Sequence, residues 1–394
     1  MPGMNVTAAG AGAPSQQDDL TLSILSRLED VARISGEWAT LYDECPDRKF
    51  SLDPYWCRRM WERLEGLPGR RPLLVVGRAG GRCRLIWPLV TYHQKLWRIT
   101  QPMSEDLSDF DDILAAPDRD ADRWRREAWD FVIATTQPHV VLCRRVPAGS
   151  GLDRVIGHDR WRWDKGSASP YVDFRKHATW DDYYRSLSKK TRSTIRNRRN
   201  RLSAVGPLRL EAVHDRDAGT ELIAWMFSQK HRRLGTRAHS KREKTTYAHF
   251  GRDIPFLADV TRNAFYEGRM KVLRLSAGDA TVAVMTGLVA GRSMVGWLYA
   301  YAPEYMSSAP GRNLFVEGLA WAKQAGMEIV DFLPDPEPYK SEWTEDSYPV
   351  RDVRIGITPW GKMLVAWYRS RMRDRLVSFY MRLPAPVQTL IRRL

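Results

Sequence analysis

The stretch that decides the fold is Val295–Trp343, with the sequence VGWLYAYAPEYMSSAPGRNLFVEGLAWAKQAGMEIVDFLPDPEPYKSEW. Residues 295–302 are apolar and aromatic, which predicts a buried strand. The run SSAPG at 307–311 interrupts this pattern, and apolar residues then recur at helical spacing over 312–325. A second apolar run at 328–333 predicts another strand. The stretch therefore predicts a strand, a loop, a helix and a strand in succession, as in an α/β fold.

The loop before the predicted helix ends in Pro310 and Gly311. The N–H groups in the first turn of a helix lack a carbonyl partner, and the helix dipole adds positive charge there, so an anion can bind. Gly311 would let the backbone approach a ligand closely, and Arg312 adds a positive side chain. Gly311, Arg312 and Asn313 are therefore candidate residues for a phosphorylated ligand. The alternative is a loop that only starts a helix.

The order and spacing of these pieces resemble the C-terminal signature of the BioF2-like acetyltransferases. That family includes the CelD-like proteins of exopolysaccharide operons and is related to the GNAT N-acyltransferases and the Fem peptidoglycan transferases. The resemblance implies two tandem GNAT-like units, each a mixed sheet with flanking helices. It also implies acyl transfer from acyl-CoA or an acyl carrier protein thioester to an amine, in cell-envelope or exopolysaccharide metabolism. The matching pieces are YAYAPEY (299–305), SSAPGRNL (307–314), EGLAWAKQAG (317–326), VDF (330–332) and PYKSEW (338–343).

The two halves of the chain repeat one succession of elements. RPLLVVGRA and CRLIWPLVTY flank Gly80-Gly81 in the first half, and MKVLRLSA and TVAVMTGLVA flank Gly278-Asp279 in the second. Each set predicts a hairpin. A helix and a strand follow both hairpins, at 121–136 and 140–146 in the first half. This repetition predicts two α/β units, and residues 19–45 before the first hairpin predict an amphipathic helix.

The expected division of the chain follows from this repeat and from the composition of its ends. It comprises a disordered leader (1–17), an N-terminal unit (18–165), a C-terminal unit with the donor site (166–358) and a basic amphipathic tail (359–394). The first unit carries the acidic run DFDDILAAPDRD before its helix, which would repel a phosphate, whereas the second carries SSAPGRN. We therefore expect the second unit to hold the cofactor site. The alternative is that both units are scaffolds.

The composition limits the partners and the compartment. The formal net charge is +15, which favours a phosphorylated cofactor, RNA, an acidic carrier protein or an anionic membrane as partner. Four cysteines lie far apart without a CxxC pair, which is typical of reduced thiols in a cytosolic protein. The leader has neither a basic start nor an apolar core, so it does not resemble a signal peptide. We expect a cytoplasmic protein, with peripheral attachment to the inner face of the membrane left open.

A strongly basic helix is predicted over 181–202. Its narrow inward stripe comprises Tyr184, Leu187, Thr191, Ile195, Arg198 and Leu202. A similar LSKKTR segment opens the second domain of the CelD-like family, and this implies that Lys189, Lys190 and Arg192 face an anionic acceptor or donor in the cleft between the units. A solvated basic face is the alternative. Lys230, in the run KHRR, extends this basic surface or only satisfies a helix C-terminus.

Acyl transfer to an amine needs a positioned thioester, a group that removes a proton from the ammonium, and stabilisation of the leaving thiolate. Asp331 and Glu304 are candidate bases. Tyr339 could protonate a thiolate, and Lys340 could stabilise an oxyanion; both match an aromatic-lysine pair that lies at the reaction centre of the Fem relatives. The glycine-rich segment that usually precedes this pair is LPDPEP here. His231 and His239 lack partners at ligand spacing, so we expect no metal.

Two other functions remain open from the sequence. One is a Fem-like transferase that takes its aminoacyl donor from tRNA. The other is a non-catalytic basic module that binds RNA or a membrane. The tail fits the second of these, because it combines apolar and arginine residues as a helix on an anionic lipid surface does. It equally fits a last helix that packs on the domain. A lipid-linked amine remains one of the candidate acceptors.

Overall fold

The computed structural model describes residues 19–104, 107, 110–157, 161–236, 241–334 and 339–370, with side chains described outside 233–252. Helices cover a long mixed sheet. The predicted α/β class is confirmed.

The first half of the chain forms one end of the sheet. Its elements are β1 (Thr21–Leu25), α1 (Leu28–Arg33), α2 (Ser35–Glu44), α3 (Pro54–Glu65), β2 (Arg71–Ala79), β3 (Arg82–Gln94), β4 (Trp97–Pro102), β5 (Leu114–Ala115), α4 (Ala121–Thr136), β6 (Val140–Pro147), α5 (Gly151–Ile156) and β7 (Arg162–Asp173). The predicted hairpin around Gly80-Gly81 is present as β2 and β3, and α4 and β6 follow it as predicted.

The second half forms the other end. Its elements are α6 (Trp180–Ser186), α7 (Lys189–Ser203), β8 (Leu208–Val213), α8 (Arg216–Thr236), α9 (Lys241–Tyr266), β9 (Met270–Ala277), β10 (Ala280–Ala290), β11 (Ser293–Tyr301), α10 (Pro310–Gln324), β12 (Ile329–Asp331), β13 (Ser347–Gly356) and α11 (Pro359–Arg369). The strand-helix-strand succession predicted from 295–333 is present as β11, α10 and β12. None of the helices in the described part of the chain is long and apolar enough to cross a membrane.

Strands β7 and β13 join the two halves. The order of strands across the sheet is β1-β2-β3-β4-β6-β13-β7-β12-β11-β10-β9-β8, and β5 pairs with β3. β13 lies between β6 and β7 and pairs antiparallel with both, while β7 also pairs with β12. A strand from near the C-terminus thus completes the sheet of the first half. The expected boundary between residues 165 and 166 falls inside β7, and the division into two domains stays a prediction. The predicted disordered leader, residues 1–17, lies outside the described residues.

The expected helix over 19–45 is wrong at its start. Residues 21–25, TLSIL, form the strand β1, which pairs with β2 at the edge of the sheet. Its exposed and partly buried residues alternate, as in a strand with one face on the core. Helices α1 and α2 follow and place Val31, Trp38 and Leu41 in the core. The apolar spacing was helical only after Leu28.

The basic helix predicted over 181–202 is two helices. Thr179 forms a capping box with Asp182 at the start of α6. Ser188 then caps α7, since its side chain accepts a hydrogen bond from the Thr191 N–H at 3.0 Å. The break at Leu187 therefore has a local cause, a serine that begins a new helix.

A bulge in β11 decides where its aromatic residues point. The pairing of β11 with β10 skips Trp297. In an unbroken strand, Val295, Trp297, Tyr299 and Tyr301 would share one face. Here Val295 and Trp297 pack on the large core with α3 and α9, whereas Tyr299 and Tyr301 pack in a separate cluster with α10. One strand therefore presents side chains to both faces of the sheet.

Candidate active site

The parallel strands β11 and β12 separate beside the start of α10. They pair only from Ser293 opposite Ile329 to Val295 opposite Asp331. β12 ends there, whereas β11 continues to Tyr301. The later part of β11 thus has no β12 residue beside it, and its edge faces a gap at the carboxyl end of the strands. Ligands of open α/β sheets collect at such carboxyl ends.

A cavity of about 310 Å³, called the α10 cavity below, lies beside this gap. Helix α10 begins at Pro310, and Ala309 before it adopts a left-handed conformation with φ 49°. A Cβ on Gly311 would lie 3.3 Å from the Tyr301 ring and 3.8 Å from the Tyr299 ring. The glycine therefore keeps open the space between the first turn of the helix and the two tyrosines.

Two arginines meet at the α10 cavity. Arg198 comes from α7 and Arg312 from the first turn of α10, and both line the cavity. Burial, and next the neighbouring Arg198 charge, lower the pKa of the Arg312 guanidinium. Arg312 also pairs with Glu342 and lies 6.0 Å from the centre of the Trp343 ring. Like charges brought together in a partly buried place favour an anion between them.

The predicted cofactor residue Asn313 has a structural contact. Its side chain is only 3% exposed, and its Nδ2 donates to the carbonyls of Ser308 at 3.2 Å and of Ala309 and Arg198 at 3.4 Å. It ties α7 to the loop before α10. Gly311 and Arg312 line the cavity, while Asn313 holds two of its walls together.

Tyr339 and Lys340 point in different directions. Tyr339 lines the α10 cavity, with its ring 5.6 Å from that of Phe315. Lys340 is 5% exposed, and its Nζ donates to the carbonyls of Leu333 at 2.9 Å and Pro334 at 3.4 Å. The ammonium therefore holds the chain after β12. The predicted role of Lys340 at the reaction centre stays a prediction.

The other predicted binding residues are spread over the surface. Lys230 lies 5.7 Å from the centre of the Tyr299 ring, beside the α10 cavity. Lys189 and Lys190 are exposed in the first turn of α7, and Arg192 donates to the Leu187 carbonyl at 2.7 Å. These three residues do not line the α10 cavity. The residue of α7 that lines it is Arg198.

Glu304, one of the two candidate bases, lies outside the α10 cavity. Its side chain is 54% exposed, and it pairs with Arg232 at 3.6 Å. A carboxylate in that position is solvated, and the structure does not bring it together with Tyr339. A catalytic role for Glu304 is a prediction with little geometric support.

Asp331, the other candidate base, lies on the opposite face of the sheet. It is 8% exposed and lines a second cavity of about 270 Å³, called the apolar cavity below. Its Oδ1 accepts hydrogen bonds from Ser169 Oγ and the Leu333 N–H, both at 2.8 Å, and its Oδ2 accepts one from the Tyr348 hydroxyl. Burial and three donors fix the position of this carboxylate.

Three residues at these sites, Arg198, Ser169 and Tyr348, were not among the predicted functional residues. Arg198 occupied an inward position in the stripe of the basic helix, and an arginine at such a position was the signal that could have identified it. Ser169 and Tyr348 belong to β7 and β13, for which no strand was predicted. Their contacts with Asp331 depend on pairing between distant segments, so local patterns did not indicate them.

Comparison with known proteins is consistent with this geometry. Residues 189–341 match the family model of an acetyltransferase (GNAT) domain. No curated protein matches the chain by sequence. The structure resembles the crystal structure of FemX, with 10% identity and a TM-score of 0.50 over 81% of this chain and 95% of that one. At such identity the likeness shows a common fold.

Two further solved structures share the fold. One is the C-terminal domain of a protein from Agrobacterium fabrum assigned as a lysylphosphatidylglycerol synthetase, with 10% identity and a TM-score of 0.50 over 85% of this chain and 95% of that chain. The other is a protein of unknown function from Bacteroides thetaiotaomicron, with 9% identity and a TM-score of 0.50 over 86% and 100%.

Three findings together indicate that the protein belongs to the class of acyltransferases. The parallel strands β11 and β12 separate, α10 begins beside that separation, and residues 189–341 match an acetyltransferase domain. Over residues 189–341 the chain matches a GNAT acetyltransferase domain, which supports the GNAT resemblance seen in the sequence, and the chain shares its fold with FemX. The chain is therefore an enzyme with a GNAT domain over residues 189–341.

Proposed function

We propose that the protein is an N-acyltransferase that binds an acyl-CoA thioester in the α10 cavity and transfers the acyl group to an amine. The observation that carries the proposal is the meeting of Arg198, Arg312 and the start of α10 at Gly311. Phosphate groups suit this place because the start of α10, at the positive end of its helix dipole, and the side chains of Arg198 and Arg312 line one cavity. Cell-envelope or polysaccharide metabolism is the proposed setting.

In the proposed reaction, the donor binds on one face of the sheet, in the α10 cavity, and the base Asp331 lies on the other face, in the apolar cavity. A bound thioester would supply the acyl carbon and a thiolate leaving group. Asp331 takes a proton from the acceptor ammonium, and the nitrogen lone pair then forms the new C–N bond as the C–S bond breaks. Tyr339, which lines the α10 cavity, gives its hydroxyl proton to the sulfur and takes the second nitrogen proton in return. Lys340 orients the chain that follows Asp331.

Other donors remain as variants of this proposal. An acyl carrier protein presents the same pantetheine arm, and its acidic surface would suit a chain of net charge +15. A charged tRNA, the Fem-like alternative, is favoured by the exposed basic residues of α7. Non-catalytic binding of RNA or a membrane is a property of the same basic surface and is not proposed as the main function.

Calorimetry with CoA and acetyl-CoA tests the donor. Gly311→Asp adds a carboxylate at the second residue of α10 and should weaken binding about a hundredfold or more, or roughly 3 kcal/mol. The matched control is Gly36→Asp, the same change at the exposed second residue of α2, which should leave binding unchanged. If wild-type protein binds charged tRNA and not CoA, the donor proposal is wrong.

Peripheral attachment to an anionic membrane, with a lipid-linked amine among the acceptors, is part of the proposal. Helix α11 packs on the domain through Gly361 and Val365. Its outer side carries a stripe of exposed apolar residues, with exposures of 63% for Trp360, 62% for Met363 and 43% for Trp367. Tryptophan prefers the membrane-water interface. The rest of the predicted tail, 371–394, lies outside the described residues; its sequence adds six arginines and one aspartate.

Sedimentation with lipid vesicles tests this attachment. Wild-type protein should bind phosphatidylglycerol vesicles and release them at high salt, because the attraction between basic residues and anionic lipid is screened. Replacing Trp360 and Trp367 with Ser should weaken binding about tenfold. Leu96→Ser, at a residue 85% exposed in the β3–β4 turn, is the control. Equal binding by all three proteins would exclude α11 as the contact.

A further inference from the structure

The apolar cavity lies where the two halves of the chain meet. One wall comes from the segment before α3 and from Trp56, and the other from β10, β11 and β12. Three basic residues also line the cavity: Arg269 pairs with Asp53, Arg48 donates to the carbonyls of Asp43 and Cys45, and Lys49 lies over the Phe110 ring. Its volume of about 270 Å³ is nearly twice that of the apolar cavity of roughly 150 Å³ that holds benzene in another protein. A ring or a compact apolar group therefore fits inside it.

Aromatic rings form one wall of this cavity. The Phe50 ring lies 5.1 Å from that of Trp56 and 5.3 Å from that of Trp297, with edge-on or tilted geometry. Trp56 and Trp297 are 6.0 Å apart. Phe110 and Tyr348 form a second pair at 6.2 Å. Such walls attract another ring through offset or edge contacts, and they attract a cation through the faces of the rings.

A single buried carboxylate lies at the β12 end of the cavity. The described contacts of Asp331 use two acceptor positions on Oδ1 and one on Oδ2. A carboxylate offers about four such positions, so Oδ2 can accept one more hydrogen bond. Because Tyr348 and Asp331 both line the cavity, an ammonium group inside it can reach this position.

Strand β11 contributes residues to both the apolar cavity and the α10 cavity, where the donor is proposed to bind. Val295 and Trp297 line the apolar cavity, and Tyr299 and Tyr301 line the α10 cavity. The bulge at Trp297 places the two sets on opposite faces of β11. To meet an amine held beside Asp331, the acyl group has to pass between β11 and β12 beyond their last pair, Val295 opposite Asp331.

We infer that the acceptor is a primary amine carried on an aromatic or similarly compact apolar body. The ammonium bonds to Asp331 Oδ2, and the body packs against Phe50, Trp56 and Trp297. This inference rests on the proposed function and adds the chemical class of the acceptor. In the reaction, Asp331 Oδ2 receives one proton from the ammonium, and the freed lone pair makes the C–N bond as the C–S bond breaks with its electrons left on sulfur. The second nitrogen proton then compensates the proton that sulfur takes up to give the CoA thiol.

The test compares amines at saturating acetyl-CoA by following release of the CoA thiol. Tryptamine and 2-phenylethylamine are the apolar probes, and ethanolamine and glucosamine are the hydrophilic ones. We expect kcat/KM to be at least tenfold higher for the two apolar amines. Trp297→Leu should raise KM for tryptamine about tenfold, whereas Trp97→Leu on β4, away from both cavities, should not.

The variant Asp331→Asn tests the role of Asp331 as a base without changing the size of its side chain. The amide keeps the size of the side chain and can still accept hydrogen bonds, so the protein should fold, which the melting temperature checks. We expect kcat for tryptamine to fall about a hundredfold, as for loss of a general base, and CoA affinity to stay the same. Binding of tryptamine to the enzyme without donor, measured by calorimetry, should also weaken.

The outcomes distinguish this inference from the proposed function. If CoA binds and ethanolamine or glucosamine is acylated as efficiently as tryptamine, the inference is wrong and the proposed function stands. If CoA binds but tryptamine shows no saturable binding of its own, the inference is also wrong. If neither CoA nor acetyl-CoA binds, the proposed donor site fails, and the inference that rests on it fails too.

Discussion

The two halves of the molecule each place a cavity at the start of a corresponding helix, but the charges that line the two cavities are arranged differently. Helix α4 begins beside a cavity of about 570 Å³ lined by the carboxylates Asp118 and Asp122 together with basic residues, among them Arg125 and Arg154. Helix α10 begins beside the smaller α10 cavity, lined by Gly311 and Arg312. Because Asp122 pairs with both Arg125 and Arg154, the larger cavity is the poorer place for a phosphate. The charge at the helix start, more than the volume, distinguishes the two.

The acidic residues of the first half have a different use. Asp112 is buried, and its Oδ1 accepts the N–H groups of Ile113 at 2.9 Å and Leu152 at 2.8 Å. Asp122 pairs with Arg125 and Arg154 at 2.9 and 3.0 Å. These carboxylates fix loops and neighbouring helices. The comparison teaches that one succession of elements can serve as a scaffold in one half and as a site in the other.

The largest expected effect concerns the scaffold and its dependence on pH. Burial raises the pKa of Asp111 to about 7, whereas an unfolded aspartate has a pKa of about 3.9. The folded protein therefore holds a proton that the unfolded chain releases between these values. Folding stability should fall as pH rises from about 4 to 7, by at most about 1.4 kcal/mol per pH unit from this group.

Urea unfolding of wild type and Asp111→Asn at pH 5, 6 and 7 measures this effect. Since Asn does not titrate, the free energy of unfolding of the variant should lose this part of the pH dependence. Over two pH units the difference between the proteins should change by roughly 2–3 kcal/mol. Parallel pH profiles would contradict the view that the acidic run is a buried scaffold.

A second prediction concerns Lys340. Removing its ammonium leaves the carbonyls of Leu333 and Pro334 without this donor, so Lys340→Ala should lower the free energy of unfolding by about 1–3 kcal/mol. Lys340→Met, which keeps the apolar part of the side chain, serves as the matched variant and should lose a similar amount. A hundredfold loss of turnover with unchanged stability would instead place Lys340 at the reaction centre.

The smallest expected effect distinguishes the two ends of α7. Arg198→Ala should raise the Kd for CoA about tenfold, equal to roughly 1.4 kcal/mol, because Arg198 lines the α10 cavity. Replacing Lys189 and Lys190 together with Ala should change it by no more than about threefold, as for exposed charges. If the lysine pair has the larger effect, the anion lies at the first turn of α7, as the sequence suggested.

The sequence predicted those parts of the fold that depend on local spacing. The hairpin around Gly80-Gly81 and the succession from β11 to β12 follow from apolar periodicity and from glycine turns, which act over a few residues. Gly311 and Arg312 were identified for the same reason, since a helix start is a local feature. The break before Lys189 is also local, because Ser188 caps the second helix, although apolar spacing alone does not indicate it.

The remainder depends on contacts between distant segments. Nothing in the sequence near 347–356 indicates that this strand pairs with both β6 and β7, and Tyr348 reaches Asp331 only because it does. The Lys340 ammonium points to the carbonyls of Leu333 and Pro334, so its orientation depends on where those two residues lie. The bulge at Trp297 moved Tyr299 and Tyr301 to the other face, although strict alternation would have kept them with Val295.

The position of β13 has a consequence for how the protein is made. A ribosome delivers the N-terminal segments first, and domains generally begin to fold as they emerge. Here β6 and β7 must wait for β13, which is synthesised only after β8 to β12. Until then both strands present unpaired edges, which are prone to join other chains. Expression of the first half alone would therefore yield an incomplete sheet, and a chaperone that shields those edges during synthesis would favour correct assembly.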